Sequence, residues 1–478
     1  MAVYAMAGSL HAEFSGADEA AYVVSGIMVR EYLAGAMWQG VPPMTFAQEY
    51  YAQYPKVAIG HWPPVYFFVQ GVWYLLAGVS RVSVLVLSAA LSSIFATFTV
   101  LLCRRESLRW SLAITAGVTA ALLPLTLQSL LEIGSDVIAS IGILGTALCC
   151  ERWIADRSAR NSALLAVVGA LAVLTKGSAF VLVLAAPMAL LTTTRSVSWL
   201  WSRESWRVII IGGLIALPWY LMARGWVIDE IVPGAPRSIT HAVEAAAVQN
   251  ARALLVLGSV LLLPLALVSL RSGWYRRAPV MAMLPLATWL FLSFLSPHRE
   301  VRLFLHVVPL LVFAGAVAAN MLVPKAPELV LVAALAVAHV PWSAFTKPKV
   351  GFVPAVAWIQ HNRPRGGDRI LVTANSSGEG AFISELALRE PRPLRTVARA
   401  SKVFQSSGWM GDGFQLHAKS ADDVERLLAA NEISLVVRHS ATSASAAAYE
   451  ESLDEALRSW RLLREFGEVR VYDRPTQR

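Results

Sequence analysis

Apolar runs long enough to cross a bilayer recur along most of this chain, and one soluble core could not bury them all. Windows matched to ~30 Å of hydrocarbon fall near 82–102, 110–131, 137–150, 162–174, 179–191, 208–221, 253–270, 279–295, 303–322 and 329–340. Over 478 residues the chain is 56% hydrophobic and only 15% charged, with a mean hydropathy of +0.54, so the excess is general. The pattern predicts a polytopic α-helical membrane protein with about ten or more transmembrane helices.

Charge then assigns sides. "CRRESLR" (103–109), "ERWIADRSARN" (151–161), "TRSVSWLWSRESWR" (194–207) and "RSGWYRRA" (271–278) are the basic connectors, and alternation along the predicted spans puts them on one face. Short loops rich in Lys and Arg stay cytoplasmic. The net charge of +9 is therefore a topology signal, and nucleic acid is excluded as a partner. The opposite face receives a first extracytoplasmic loop over 11–81, "EIGSD" (132–136), "TKG" (175–177), 224–252, "PHREVR" (297–302) and everything after about 346. The aromatic run "HWPPVYFFVQGVWYLLAGVS" (61–80) would break this alternation if it crossed, so it is read as an interfacial or re-entrant helix.

Beyond residue 345 charged residues become frequent and apolar runs shorten to strand length. "DRILVTA" (368–374), "ISLVVRH" (433–439) and "EVRVYD" (468–473) predict strands, and 380–389, 421–431 and 447–464 predict helices. Residues 1–345 thus form the membrane domain and 346–478 a soluble extracytoplasmic α/β domain. "SSGEG" (376–380) follows a strand, but its phosphate fingerprint is incomplete and a plain turn is the expectation. Cys103, Cys149 and Cys150 lack the spacing of a zinc site or disulfide framework, and the first residues show no cleavable signal.

Ionisable residues next to apolar runs are the candidates for chemistry. Asp18 and Glu19 head a helix-compatible stretch, where Ser15 and Asp18 match a capping box. Successive helical residues point about 100° apart, so the two acids are expected to have separate roles. Asp136 begins a span, as a cavity acid or, with Ser135, a simple cap. Lys176 interrupts two short spans near the outer interface, where an anionic headgroup would sit. His298, Arg299, Glu300 and Arg302 crowd the outer end of another span, and the planar fork of Arg suits phosphate. His61, alone before Trp62 and two prolines, reads as substrate contact or interface packing rather than a metal ligand. P-loop, HExxH, GxSxG and CxxC motifs do not occur. Acids, a lysine and arginines thus gather on the exterior face, where the donor for a transfer reaction would arrive as a lipid phosphate.

These residues resemble the polyprenyl-phosphate-dependent GT-C-type glycosyltransferases of the protein O-mannosyltransferase and aminoarabinose transferase kind. "ADEAAY" (17–22) resembles the family's Asp-Glu motif, "GHWPPVYFFVQGVWYLLAG" (60–78) its Pro-Pro-aliphatic-Tyr segment, and "GSDVIAS" (134–140) its Asp-containing span start. "LTKGSAFVLVLAAP" (174–187) and "REVRLFLHVVPLL" (299–311) resemble its Lys-Gly and Glu-x-Arg spans. Leu303 stands where the family has Tyr, His61-Trp62 replace a charged residue ahead of Pro-Pro, and only about ten residues precede the Asp-Glu loop where a membrane helix is usual.

The resemblance implies an enzyme that moves a sugar, with inversion, from a polyprenyl phosphate to an envelope lipid, glycan or protein. It implies a multi-pass protein of the bacterial cytoplasmic membrane with its active site outside. Asp18 would be the general base and Glu19 an orienting group, or a ligand of acceptor or metal. Lys176, Arg302 and Arg299 would hold the donor phosphate, and His61, Tyr66, Asp136 and Glu300 would contact substrate. No metal site is assigned among these residues, though the chemistry leaves room for a divalent ion. Two other classes compete: a secondary transporter using Asp18, Asp136 and Lys176 as coupling groups, and a non-catalytic envelope scaffold.

Overall fold

The computed structural model describes all residues except 15, 17, 59, 225–247, 249–258, 296–299, 339–341, 365, 407–413, 440–443 and 476–478. Ser15, His298, Arg299, most of the 224–252 loop, residues 253–258 of one expected span and 339–340 of another lie outside the described residues. Among the described residues five helices are long and apolar enough to cross a membrane: Arg81–Arg105, Asp136–Ala155, Gly177–Thr194, Arg203–Met222 and Val301–Leu322. A bent pair of helices makes a sixth if its two pieces are counted as one span. Trp110–Leu122 and Pro124–Leu131 meet at 60°, because Pro124 offers no amide hydrogen and forces Leu123 into an extended conformation. Shorter apolar helices at Ala159–Val173, Leu261–Ser272, Pro279–Phe294 and Pro327–Val337 lie in the remaining expected windows.

Burial ranks these helices by position. Val301–Leu322 is 89% buried and is the pillar of the bundle, whereas Arg203–Met222 is 6% buried and lies on its outside. At one end of the bundle the basic connectors meet: Arg277 pairs with Glu106, Arg105 donates to the Arg277 carbonyl at 2.7 Å, and Arg109 pairs with Glu328. Sequence assigned these connectors to one face, and here two of them touch.

Among the described residues, 11–81 contain three α-helices, Glu19–Ala34, Pro43–Gln53 and Val65–Ala77, with a short 3-10 helix at Ala36–Gln39 after the first. The first and third cross at glycines. A Cβ at Gly26 would stand 2.8 Å from Gln70 Cβ, and one at Gly71 would stand 2.6 Å from Val29 Cγ1. Such close approach needs small residues. The 61–80 run therefore yields a helix of 13 residues, about 20 Å long at 1.5 Å per residue and short of a full crossing.

An extended segment over 346–350 leads into the C-terminal α/β domain, which starts with helix Phe352–Asn362. Its strands are β1 (Arg369–Thr373), β2 (Thr396–Arg399), β3 (Gln405–Ser406), β4 (Gln415–Leu416), β5 (Leu435–His439), β6 (Arg461–Phe466) and β7 (Val469–Asp473). The main sheet runs β2-β1-β5-β7-β6, parallel across β2, β1 and β5 and antiparallel beyond. The expected helix over 447–464 is corrected: a helix covers Ala444–Leu457, and Arg461–Phe466 is strand β6. Its side chains are mostly exposed at the sheet edge, so period-2 patterning is weak there. "SSGEG" opens helix Ser376–Arg389 as a capped turn, with the Asn375 side chain accepting the Gly378 amide at 2.8 Å.

The two parts share packing. Helix Ser376–Arg389 lies against Glu19–Ala34, with Gly380 meeting Ala20. Arg81, at the head of the first span, pairs with Glu385 of that same C-terminal helix.

Candidate active site

Four chain segments deliver charge to one place. Asp18 occupies the N-cap position of helix Glu19–Ala34, but its side chain makes no capping hydrogen bond. It reaches instead to Arg302, whose Nη2 lies 2.9 Å from Asp18 Oδ2. Arg302 sits in the tight turn Val301–Val307 at the head of the central pillar. Its other terminal nitrogen, Nη1, is 3.9 Å from Asp136 Oδ2, and its Nε pairs with Glu300.

Asp136 is the first residue of helix Asp136–Ala155 and is buried. Ser135, the cap residue, also makes no side-chain capping bond; its hydroxyl meets the Tyr22 hydroxyl at 2.8 Å. The far oxygen of Asp136 is taken by Lys176, with Nζ to Oδ1 at 2.6 Å. Lys176 stands in an extended break between two apolar helices, which explains how an ammonium enters this depth. Burial opposes its charge, but the Asp136 carboxylate holds the ammonium's pKa above its usual value. Lys176, Asp136, Arg302 and Asp18 thus form one continuous charge chain, with Glu300 branching from Arg302.

A cavity of about 480 Å³ opens beside this chain, and Asp18, Tyr22, Glu132, Asp136, Glu300 and Arg302 line it. Tyr22 lies one turn beyond Asp18 on the same helical face. Its ring stacks on Trp62 at 4.4 Å between centroids, and Tyr66 packs edge-on behind it at 5.5 Å. Tyr66 is buried, so its position is behind the cavity wall. His61 lies one residue before that platform, in the turn that enters it, while Trp62 makes the stack.

Glu19 borders the same cavity, but its carboxylate is engaged by other partners. Its carboxylate is 1% exposed and accepts the Gly16 amide at 2.9 Å and the Ile133 amide at 3.1 Å. It also pairs with Lys347 from the 346–350 segment. Two adjacent acids therefore have separate surroundings: one is in the charge chain, the other ties three backbone segments together.

Sequence reasoning brought Asp18, Asp136, Lys176, Glu300 and Arg302 to this site. It missed Lys347 and gave Glu132 no role of its own. Burial raises the Glu132 carboxyl above the ordinary range, with nearby Glu19 adding to the effect and Arg302 opposing it. The only available signal for Glu132 was its place in "EIGSD"; Lys347 carried none. Among the described residues no three His, Cys, Asp or Glu side chains are grouped as a metal ion would need.

Comparison with known proteins bears on this geometry. Residues 61–221 match the model of a family described as dolichyl-phosphate-mannose-protein mannosyltransferase. No curated protein matches the chain significantly. Among solved structures the chain is similar to ArnT from Cupriavidus metallidurans bound to undecaprenyl phosphate, at 14% identity and a TM-score of 0.58. That match covers 100% of this chain and 97% of the other. The fold is therefore of the ArnT type, and the family match supports the GT-C resemblance read from the motifs.

Proposed function

We propose that this membrane-embedded chain is a glycosyltransferase of the GT-C type, moving a sugar from a polyprenyl-phosphate donor to an acceptor hydroxyl at the cavity beside Asp18. The observation that carries the reading is Arg302, whose guanidinium touches both Asp18 and Asp136 while Lys176 closes on Asp136 from the other side. A cation pair next to a carboxylate at the mouth of apolar spans suits one anionic lipid headgroup and one proton to be moved. The family match and the fold support the same reading.

In the reaction, the acceptor oxygen attacks the anomeric carbon from the side opposite the phosphate. The new oxygen–carbon bond forms as the bond from that carbon to the phosphate oxygen breaks, so the configuration inverts. Asp18 takes the acceptor's proton, and the electron pair of the broken bond leaves on the polyprenyl phosphate. Arg302 and Lys176 meet that growing charge, the electrostatic contribution that often dominates such catalysis. An arriving phosphate draws the Arg302 fork toward itself, and this frees Asp18 to act as base. Glu300 and Asp136 hold the fork in place, and Arg299 lies three residues before it in sequence. The stacked Tyr22 and Trp62 offer a flat apolar surface beside the sugar, with His61 next to it. The basic connectors on the opposite side support an extracytoplasmic site in a bacterial cytoplasmic membrane.

Incubating the purified protein with radiolabelled polyprenyl-phosphate sugars and envelope extract tests the proposal. Wild type should transfer label and Asp18→Asn should lose about 10²- to 10⁴-fold of the rate. Equal transfer by both would remove Asp18 as the base.

A further inference from the structure

The segment joining the two domains passes directly over the residues that lead to Asp18. The Lys347 amide donates to the Ala7 carbonyl at 3.0 Å. Three residues on, Glu13 accepts the amides of Val350 at 3.1 Å and of Gly351 and Phe352 at 2.9 Å, capping helix Phe352–Asn362. Phe14 is held between two cations: Arg81 lies 4.7 Å and Lys347 5.7 Å from its ring centre. Residues 7–14 are therefore strapped down by the linker, and the strap ends in the Lys347–Glu19 pair.

That pair has a specific electrostatic effect. Glu19 is nearly inaccessible and adjoins Asp18 in sequence; Glu132 and Tyr4 sense its charge from two other segments. Lys347 is the cation that closes on Glu19. Without it the Glu19 carboxylate, which borders the same cavity as Arg302 and acts with it on Glu132, would keep only two backbone amides against its charge, and a buried charge that loses its partner is costly. Arg302 would then be shared among Asp18, Asp136, Glu300 and Glu19.

Resting on the proposed transferase reading, we infer that Lys347 is a positioning residue for catalysis: by neutralising Glu19 it reserves Arg302 for Asp18 and the donor phosphate. Glu19 in turn fixes the Ile133 amide, and through it the 132–136 turn that presents Asp136. The C-terminal domain's linker is thus part of the active-site support.

The test compares Lys347→Met, Lys347→Arg and the double variant Lys347→Met/Glu19→Gln in the full-length protein. Label transfer gives kcat, and binding of polyprenyl phosphate gives Kd. Lys347→Met should lose about 10- to 100-fold in kcat, with a smaller loss of about 2- to 5-fold in affinity for polyprenyl phosphate because Arg302 also meets the phosphate. Lys347→Arg should retain most of the rate, and the double variant should recover much of what the single lost, because the buried charge is gone. A single variant as active as wild type would overturn the inference while leaving the transferase reading intact. So would a loss in the double variant equal to that of the single, since a purely mechanical strap would not respond to Glu19. A wild type that transfers no sugar would instead remove the transferase reading itself.

Discussion

Arg302 Nη2 lies 2.9 Å from Asp18 Oδ2, joining the head of the buried central span to the head of the first-loop helix. The guanidinium serves two carboxylates at once, with Asp136 at 3.9 Å from its other terminal nitrogen. A lysine ammonium is a point charge and cannot bridge both at these separations. Arg302→Lys should therefore lower kcat/KM for sugar transfer by about 100-fold, more through kcat than through donor affinity. Steady-state transfer kinetics with a fixed acceptor decide this, and a variant within a factor of about three of wild type would contradict it.

Asp136 and Lys176 form a largely buried ion pair, with 9% and 19% of their side chains exposed. Removing one partner of such a pair leaves the other charge stranded, whereas removing both is cheaper. Lys176→Met should destabilise the protein by about 2–3 kcal/mol, and Lys176→Met/Asp136→Asn by less than the single change. Thermal unfolding in detergent measures both. If the double variant loses as much as the two single losses added, the pair contributes no coupling.

Lys56 comes from the first loop and presses against the C-terminal domain, its Nζ 3.3 Å from where a Cβ at Gly380 would stand. Burial, with Arg399 adding to it, pulls the ammonium's pKa down to about 8 from 10.5. Between those values the unfolded chain binds more protons than the folded one, so the stability contributed at this site rises with pH across that window. Below about pH 8 both forms are charged, and the buried ammonium costs at most about 3 kcal/mol. Lys56→Met should therefore raise the Tm at pH 7, with an advantage that shrinks steadily by pH 10. An advantage independent of pH would show that packing, not charge, set the difference.

The spans were readable because apolar length in a bilayer leaves few alternatives. The charge chain was readable for a related reason. Asp136, Lys176 and Arg302 sit at ends of apolar runs, where an ionisable group is unusual, and predicted alternation put them on one side with Asp18. Lys347 could not be found this way. It lies in a polar connector, and its importance arises from a contact with Glu19 that is 328 residues away in sequence. Nor did Asp18 and Glu19, which both border the cavity, reveal which would pair with Arg302 and which with Lys347, since a helix start fixes their angular separation but not the direction of its neighbours. Strand β6 escaped because it is an edge strand with exposed side chains on both faces, so its residues carry little sign of the sheet.

Gly351 is the junction between strap and C-terminal domain, at the N-cap of helix Phe352–Asn362, and its geometry forbids a side chain. Its φ is +125°, and a Cβ there would stand 1.9 Å from the carbonyl oxygen of Phe466, the last residue of β6 before the turn into β7. Backbone cannot yield as a flexible side chain can, and the same turn is bound again by the Glu468 amide donating to the Val350 carbonyl at 3.2 Å. Gly351→Ala should cost about 3 kcal/mol or more, combining strained backbone with a displaced hairpin. Gly367, at φ +80° with nothing within 4 Å of its would-be Cβ, supplies the control. Gly367→Ala carries the conformational cost alone, about 1 kcal/mol. Limited proteolysis of the two variants in detergent separates the effects: cleavage within 346–352 should accelerate strongly in Gly351→Ala and little in Gly367→Ala. Because Glu13 caps the helix that begins at Phe352, the same displacement should also loosen residues 7–14 and reduce sugar transfer. Equal protease resistance in both variants would mean that the strap does not depend on this close approach.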